Sequence, residues 1–299
     1  MVTERQGSGQ NLKGSRDHKY SLQEVASGVY LITDTNYHNV FTTTSDGVVL
    51  FDAPTPLVGF IEPAIREVTD DPVTHLVYTH VHNDHIGGAS QFVTPDTKIY
   101  AGAGTAEFLE ARQDPTRPVP THIFAEDTTL TIGGRTFEIA PDRFHTVTGD
   151  LLINMPREKV VVAIDTLGPD WMPILDFSIT ADMYGYMKIF DRILGLDFDV
   201  LVGGHDEHVA RRSDVELTRE YVHDVYQTVK RVHSELDTSW IYAEDRRDEQ
   251  RLALELFSSV WVDAGKEIAE RWKGSPVQGA ELWAESHCRA MFLYVNWTD

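Results

Sequence analysis

Between residues 80 and 85 the chain reads His80-Val81-His82-Asn83-Asp84-His85, which places four metal-competent side chains in six positions. The run follows residues 75–78, a short apolar segment that reads as a buried strand. At the extended end of a strand, alternate side chains point the same way, so His80 and His82 are directed together to one side. Ile86-Gly87-Gly88 comes next, and glycine lets the backbone turn tightly into a helix. That turn swings Asp84 and His85 toward a second position beside the first. A lone histidine is usually a surface residue. Three histidines and an aspartate at this spacing behind a strand predict a metal site.

Three more candidates stand at predicted strand ends. His145 follows a strand that ends near Ala140 and precedes Thr146-Val147-Thr148-Gly149-Asp150. Asp165 closes the apolar run Val160-Val161-Val162-Ala163-Ile164, where an ionised carboxylate is costly unless it is paired or metal-bound. His205 follows Leu201-Val202-Gly203-Gly204, again a strand running into a glycine turn. Any one of these reads most simply as a turn or cap residue. Taken with the first cluster, they read as ligands.

The rest of the chain supplies a matching frame. Residues 1–20 read as a flexible polar tail. Strands are predicted at 29–33, 40–44, 47–51, 75–78 and 98–101, with helices at 60–68 and 105–112. A second strand-rich half has strands at 129–132 and 136–140 around Gly133-Gly134, then at 151–154, 160–164 and 200–203, with a helix at 181–194. Two such halves predict two sheets face to face with helices outside, an αβ/βα sandwich of the α/β class, over residues 21–212. Residues 213–299 read as a C-terminal helical extension. Ser213 and Glu216 have the spacing of a capping box, and further helices are expected at 248–272 and 280–296. The extension serves packing or a homodimer interface in the plainer account, and a lid over the site in the sharper one.

Composition narrows the function. Asp and Glu number 47 against 26 Lys and Arg, a net charge of −21, which disfavours a phosphate backbone as partner and predicts no nucleic-acid binding. The single cysteine, Cys288, rules out an intramolecular disulfide and a thiolate metal cluster. The polar start and the strand-length apolar runs predict no membrane partner and a cytoplasmic location.

With these residues in place, the sequence resembles the metallo-β-lactamase superfamily over roughly residues 25–210: His80-Val81-His82-Asn83-Asp84-His85, then His145, Asp165 and His205 in the family's order, with Thr79, Gly87-Gly88 and Asp52 also matching. The resemblance implies that His80, His82 and His145 hold one metal, that Asp84, His85 and His205 hold another, and that Asp165 bridges them. Imidazole and carboxylate ligands without thiolate suit two Zn²⁺, and also Fe or Mn. It further implies hydrolysis by a metal-bridging hydroxide of an ester, thioester, lactone or amide bond in a small molecule, with Asp84 as the proton carrier. Asp52 is expected to accept the second N–H of a ligand histidine. Loops holding Tyr37, His38, Phe144, Trp171, Met172, Phe177 and Tyr184 are expected to wall the pocket, with Tyr184 or Tyr186 as an oxyanion donor.

Alternatives on the same fold stay open: a β-lactamase, an iron-dependent redox enzyme, a phosphodiesterase and a non-catalytic effector-binding protein. Exported β-lactamases would show a signal segment. Glyoxalase II-type thioesterases would show more basic residues near His205 than Arg211 and Arg212. Acyl-homoserine lactonases place tyrosine where Gly168 stands, and diiron flavoproteins place glutamate where His82 stands. Persulfide dioxygenases use a reduced ligand set.

Overall fold

A computed structural model describes residues 20–239 and 248–299. The predicted tail therefore lies outside the described residues except for Tyr20, which is buried and belongs to the folded body.

Seven strands form the first sheet in chain order: β1 (Ser21–Ala26), β2 (Val29–Thr33), β3 (His38–Thr44), β4 (Gly47–Phe51), β5 (Val73–Val77), β6 (Lys98–Gly102) and β7 (His122–Phe124). Pairing is antiparallel from β1 to β4 and parallel from β4 to β7. Parallel strands need crossovers. Helix α1 (Val58–Val68) joins β4 to β5, and α2 (Asn83–Ile86) with a 3₁₀ turn at Ala89–Phe92 leads from β5 to β6. Helix α3 (Ala103–Arg112) leads on to β7. Tyr20 donates to Glu67 of α1 at 2.6 Å and so ties the start of the sheet to its covering helix.

The second sheet has the order β12-β11-β10-β9-β8, made of β8 (Thr128–Ile132), β9 (Arg135–Asp142), β10 (Asp150–Met155), β11 (Val160–Val162) and β12 (Val200–Val202). Only β11 and β12 pair in parallel. The β8–β9 hairpin turns on Gly133 (φ 49°) and Gly134 (φ 83°), two successive positive φ values that glycine adopts without a Cβ penalty.

The period of two divides each strand between layers. In the first sheet Val29, Leu31, Val49 and Phe51 meet Phe137, Ile139, Ile153, Val160 and Val162 between the sheets. Ile32, Val48 and Leu50 face outward onto Ile61, Ala64 and Ile65 of α1. From the second sheet Leu152, Val161 and Leu201 face a larger helical layer. Burying each such aliphatic side chain stabilises the fold by about 1.5–3 kcal/mol. The predicted αβ/βα sandwich is the observed one.

That outer layer contains the short turn α4 (Leu175–Ile179), whose residues 176–179 have positive φ, and the helices α5 (Met183–Leu194), α6 (Arg212–Ser234), α7 (Glu249–Arg271) and α8 (Ala280–Trp297). The cap of α6 differs from the expected Ser213/Glu216 box. Arg211 is the N-cap, and its backbone N–H donates to the Asp214 carboxylate at 2.7 Å. Strands β1 and β7 were not expected from the sequence. Among the described residues no helix is long and apolar enough to cross a membrane.

Candidate metal centre

One edge of the sandwich collects the candidate residues from both sheets. His80, His82, Asp84 and His85 follow β5 in the first sheet. His145 follows β9, Asp165 follows β11 and His205 follows β12 in the second. The two edges are fastened to each other: the Leu151 N–H donates to the Thr79 carbonyl at 2.8 Å, and Tyr37 forms a β-bridge with His205. All seven residues predicted as ligands come together, in two groups whose nitrogen and oxygen atoms lie within 4.8 Å of one another.

The geometry is organised by Asp165. Its Oδ2 lies 3.4 Å from His80 Nε2, 3.9 Å from His82 Nδ1 and 3.2 Å from His145 Nε2. Its Oδ1 lies 3.2 Å from both His85 Nε2 and His205 Nε2. Asp84 Oδ2 approaches His85 Nε2 at 3.5 Å on that second side. One carboxylate thus presents each oxygen to a separate set of imidazoles. Asp165 has φ 62°, an unusual backbone for a non-glycine residue, and its N–H donates to Gly203 O at 2.8 Å. Gly204 follows at φ 93°, where a Cβ would meet Ile164 at 2.7 Å.

Surrounding groups fix where the imidazole protons sit. Thr79 Oγ1 donates to Asp52 Oδ2 at 2.6 Å, so toward His80 Nδ1, 3.0 Å away, it can only accept. Thr180 Oγ1 donates to Phe177 O at 2.6 Å and likewise accepts from His145 Nδ1 at 3.2 Å. His205 Nδ1 donates to the Asn36 carbonyl at 3.0 Å, since a carbonyl has no proton to give. In the neutral rings each Nε2 is then a bare lone pair aimed inward. His80 Nε2 and Asp165 Oδ1 are buried without a hydrogen-bond partner. His82 Nδ1 and His145 Nε2 stand 3.1 Å apart, and His85 Nε2 and His205 Nε2 3.2 Å apart. Acceptors converging on acceptors call for positive charge among them. Nitrogen and oxygen donors in two sets sharing one carboxylate fit a pair of divalent cations.

The same demand for positive charge shows in the ionisation of the cluster itself. Burial would raise the Asp165 carboxyl, yet the charge of His85 and then the His145 imidazole beside it hold it well below the usual range. Burial would lower His85, but Asp165 and then Asp84 outweigh it and push it up to about 9. Burial drives His80 well below its ordinary value, against the pull of Asp165.

Several residues stand differently from expectation. Asp52 does not reach a ligand histidine. Both its oxygens are taken by Thr79, through N–H at 2.7 Å and Oγ1 at 2.6 Å, so it acts on His80 through that threonine. Burial pushes Asp52 up to about 7. Of the expected pocket walls, Tyr37 does stand at the site: its ring centroid is 4.6 Å from that of His205, and its hydroxyl donates to Asp84 Oδ2 at 3.3 Å. His38 is buried with both ring nitrogens unpartnered. Phe144, Met172 and Phe177 are buried in the helix-side core, and so is Tyr186, whose hydroxyl donates to Thr166 O at 2.6 Å. Trp171 and Tyr184 are exposed, Trp171 beside Gly279 and Tyr184 beside Lys188. Asp150 was not foreseen. Its carboxylate accepts from the backbone N–H groups of Phe144, His145 and Thr146 at 2.8–3.1 Å and so shapes the loop that carries His145.

The segment after Asp165 has an unusual form. Asp176, Phe177, Ser178 and Ile179 all have φ between 51° and 60°, a left-handed turn without glycine. Each such residue costs about 1–2 kcal/mol relative to the right-handed form. Four in succession persist only if tertiary contacts hold them. Thr180, which accepts from His145, is the next residue.

The description "Metallo-beta-lactamase superfamily" belongs to the family model that matches residues 33–205. The chain is similar to the 2,4-dinitroanisole O-demethylase subunit alpha of Nocardioides sp. (strain JS1661), 29% identical over 207 residues covering 66% of this chain. It spans only 62% of that subunit's length. It is 24% identical over 240 residues to metallo-beta-lactamase type 2 of Elizabethkingia meningoseptica, covering 72% of this chain and 91% of the lactamase. Among solved structures, the stereoselective inverting sec-alkylsulfatase Pisa1 from Pseudomonas sp. superposes with a TM-score of 0.64 at 16% identity, over 93% of this chain and 50% of the sulfatase. That last likeness concerns the fold. With the family model running from the end of β2 to His205 and taking in all seven converging residues, the chain belongs to the metallo-beta-lactamase superfamily.

Proposed function

We propose that this protein is a dinuclear metal-dependent hydrolase acting on a small organic molecule. The observation that carries this reading is the divided carboxylate of Asp165, with His80, His82 and His145 on one oxygen and His85 and His205 on the other. His80, His82 and His145 would hold the first cation. Asp84, His85 and His205 would hold the second, with Asp165 shared. Zinc is the metal we favour for this nitrogen-rich set. When bound, such cations lower the pKa of water from 15.7 to about 7 and polarise the bond under attack.

The protein's own groups do the remaining work. Asp84, with a side chain 44% exposed, is the most open of the seven residues, so its Oδ2 can take a proton from the attacking water and return it to the leaving group. Tyr37 stays protonated, because burial and then the charge of Asp84 push its pKa up to about 12. Its hydroxyl is therefore a donor, to Asp84 or to a substrate oxygen. Thr79, Thr180 and Asn36 hold the rings of His80, His145 and His205 with Nε2 free for the metal. We assign catalysis to residues 21–212 and a supporting role to the helices of 213–299.

The relatives' names cover a β-lactamase, an O-demethylase of 2,4-dinitroanisole and an alkylsulfatase. The test is metal analysis of the purified protein together with hydrolysis of a panel: a nitrophenyl ester, a thioester, a lactone, a β-lactam, an alkyl sulfate and 2,4-dinitroanisole. Close to two divalent metal ions per chain and chelator-sensitive turnover of at least one bond class are expected. A single iron per chain with thiol oxidation would overturn the reading in favour of redox chemistry.

A further inference from the structure

Helix α8 reaches the candidate metal centre through a continuous set of contacts, although it comes from the far end of the chain. Ser286 is pinned between two groups of Asp176: the Asp176 N–H donates to Ser286 Oγ at 2.7 Å, and Ser286 Oγ donates to Asp176 Oδ1 at 2.7 Å. Arg289 pairs with the other carboxylate oxygen, Asp176 Oδ2. His287, between them in sequence, is fully buried. Its Nε2 donates to Pro173 O at 2.8 Å, its Nδ1 accepts from the Tyr221 hydroxyl of α6 at 2.7 Å, and its ring lies 4.1 Å from that of Phe177 at 15°.

These contacts hold the left-handed turn from one side, while Phe177 packs on Tyr186 and Tyr221 and the Ser178 N–H donates to Ile174 O at 2.9 Å. Asp176 opens the turn, and Phe177 within it supplies the carbonyl that accepts from Thr180 Oγ1 at 2.6 Å. With its proton committed there, Thr180 accepts from His145 Nδ1 and leaves His145 Nε2 as a lone pair. The Ala181 N–H donates to His145 O at 2.8 Å and fixes the backbone of the same residue. The path from α8 to His145 is thus three residues long: Asp176, Phe177, Thr180.

We propose that α8 is a positioning element for the first metal position: Ser286, His287 and Arg289 hold the left-handed turn so that Thr180 orients the His145 imidazole. The helical extension is then neither a simple packing layer nor a lid. It supplies the outer support of one ligand. In the second position His205 is held by the Asn36 carbonyl instead, with no step through the left-handed turn. The two metal positions should therefore respond differently to changes in α8. This inference rests on the dinuclear reading given above.

The test uses full-length protein stripped of metal and titrated with Co²⁺ and Zn²⁺ against a chelator, with the Co²⁺ visible spectrum reporting each position. In Thr180→Val, Ser286→Ala and Asp176→Asn, one of the two metal equivalents should weaken by about 10–100-fold while the other stays within about twofold of wild type. Thr180→Ser should restore it. Adding Ser286→Ala to Thr180→Val should produce little further loss, because both act on one path. Circular dichroism and thermal midpoints are recorded for every variant. If Asp176→Asn does not fold, Ser286→Ala, which removes a single hydroxyl, carries the same readout. Lower thermal midpoints with both metal affinities unchanged would overturn the proposal and leave α8 a structural brace. Equal weakening of both positions would overturn it as well. A wild-type protein that binds fewer than two equivalents defeats the dinuclear reading itself, which distinguishes that failure from this one.

Discussion

Acid should loosen the protein at His287 by an amount that the structure fixes in sign and scale. The ring is fully buried, its Nε2–H is committed to Pro173 O, and its Nδ1 accepts from Tyr221, so a second ring proton would displace the tyrosine hydrogen bond. Burial pushes its pKa from 6.5 down to about 4, against the two carbonyls of Ile174 and Pro173 that favour the charged ring. Above pH 6.5 neither the folded nor the unfolded chain carries that proton, and stability is complete. Between 6.5 and about 4 the unfolded chain binds a proton that the folded chain refuses, so stability falls as pH falls. The full loss is about 3 kcal/mol, and about 2 kcal/mol is already lost near pH 5. Other groups titrate in the same range, so the measurement is a comparison. Wild type and His287→Gln, which keeps an N–H for Pro173 but cannot titrate, are unfolded in urea at pH 7.5 and near pH 5. With a slope of about 2–3 kcal/mol per molar urea, the wild-type midpoint should drop by roughly 0.7–1 M more than that of the variant. Parallel pH dependences would refute the assignment of a neutral, proton-excluding His287.

Three further outcomes are expected. His145→Ala should abolish hydrolysis and reduce bound metal, checked by turnover and by elemental analysis of the same preparation; full activity would remove His145 from the ligand set. Tyr37→Phe deletes the 3.3 Å hydroxyl contact to Asp84 and should lower turnover by roughly 10- to 100-fold at unchanged metal content, the range for one hydrogen bond to a charged group. Gly185→Ala would place a Cβ 1.6 Å from the Arg143 carbonyl, so α5 must move away from the strand exit that carries His145; a loss of about 3 kcal/mol or more is expected in urea unfolding.

Features set by local pattern were legible in the sequence. Strands such as β4 and β11 announce themselves because their sides alternate between two apolar layers or are apolar on both. The seven converging residues were legible because each follows an apolar strand, and strand ends on one side of a sandwich meet. What stayed hidden depends on distant partners. Thr180 acquires its role from His145, 35 positions away, and Asn36 from His205, 169 positions away. The left-handed turn carries no glycine, so the usual mark of positive φ is missing. Strand β1 was hidden because three of its six residues are polar and most are only half-buried, and β7 by its short length and exposed Ile123. Nearness in sequence misled at the pocket: Phe144 adjoins His145, yet it points into the core on the opposite side of the backbone.

The division of the seven residues, four from one sheet and three from the other, has a meaning beyond chemistry. Cations held there would cross-link two halves of the chain that otherwise meet through apolar contacts and a few backbone hydrogen bonds. Their binding energy belongs to neither half alone and is released only when both sheets are assembled. The folded population is then tied to free metal concentration, gaining about 2.7 kcal/mol when that concentration is a hundredfold above the dissociation constant. A cell short of metal would lose more than catalytic turnover: the lifetime of the polypeptide itself would shorten, and its abundance would track the metal supply.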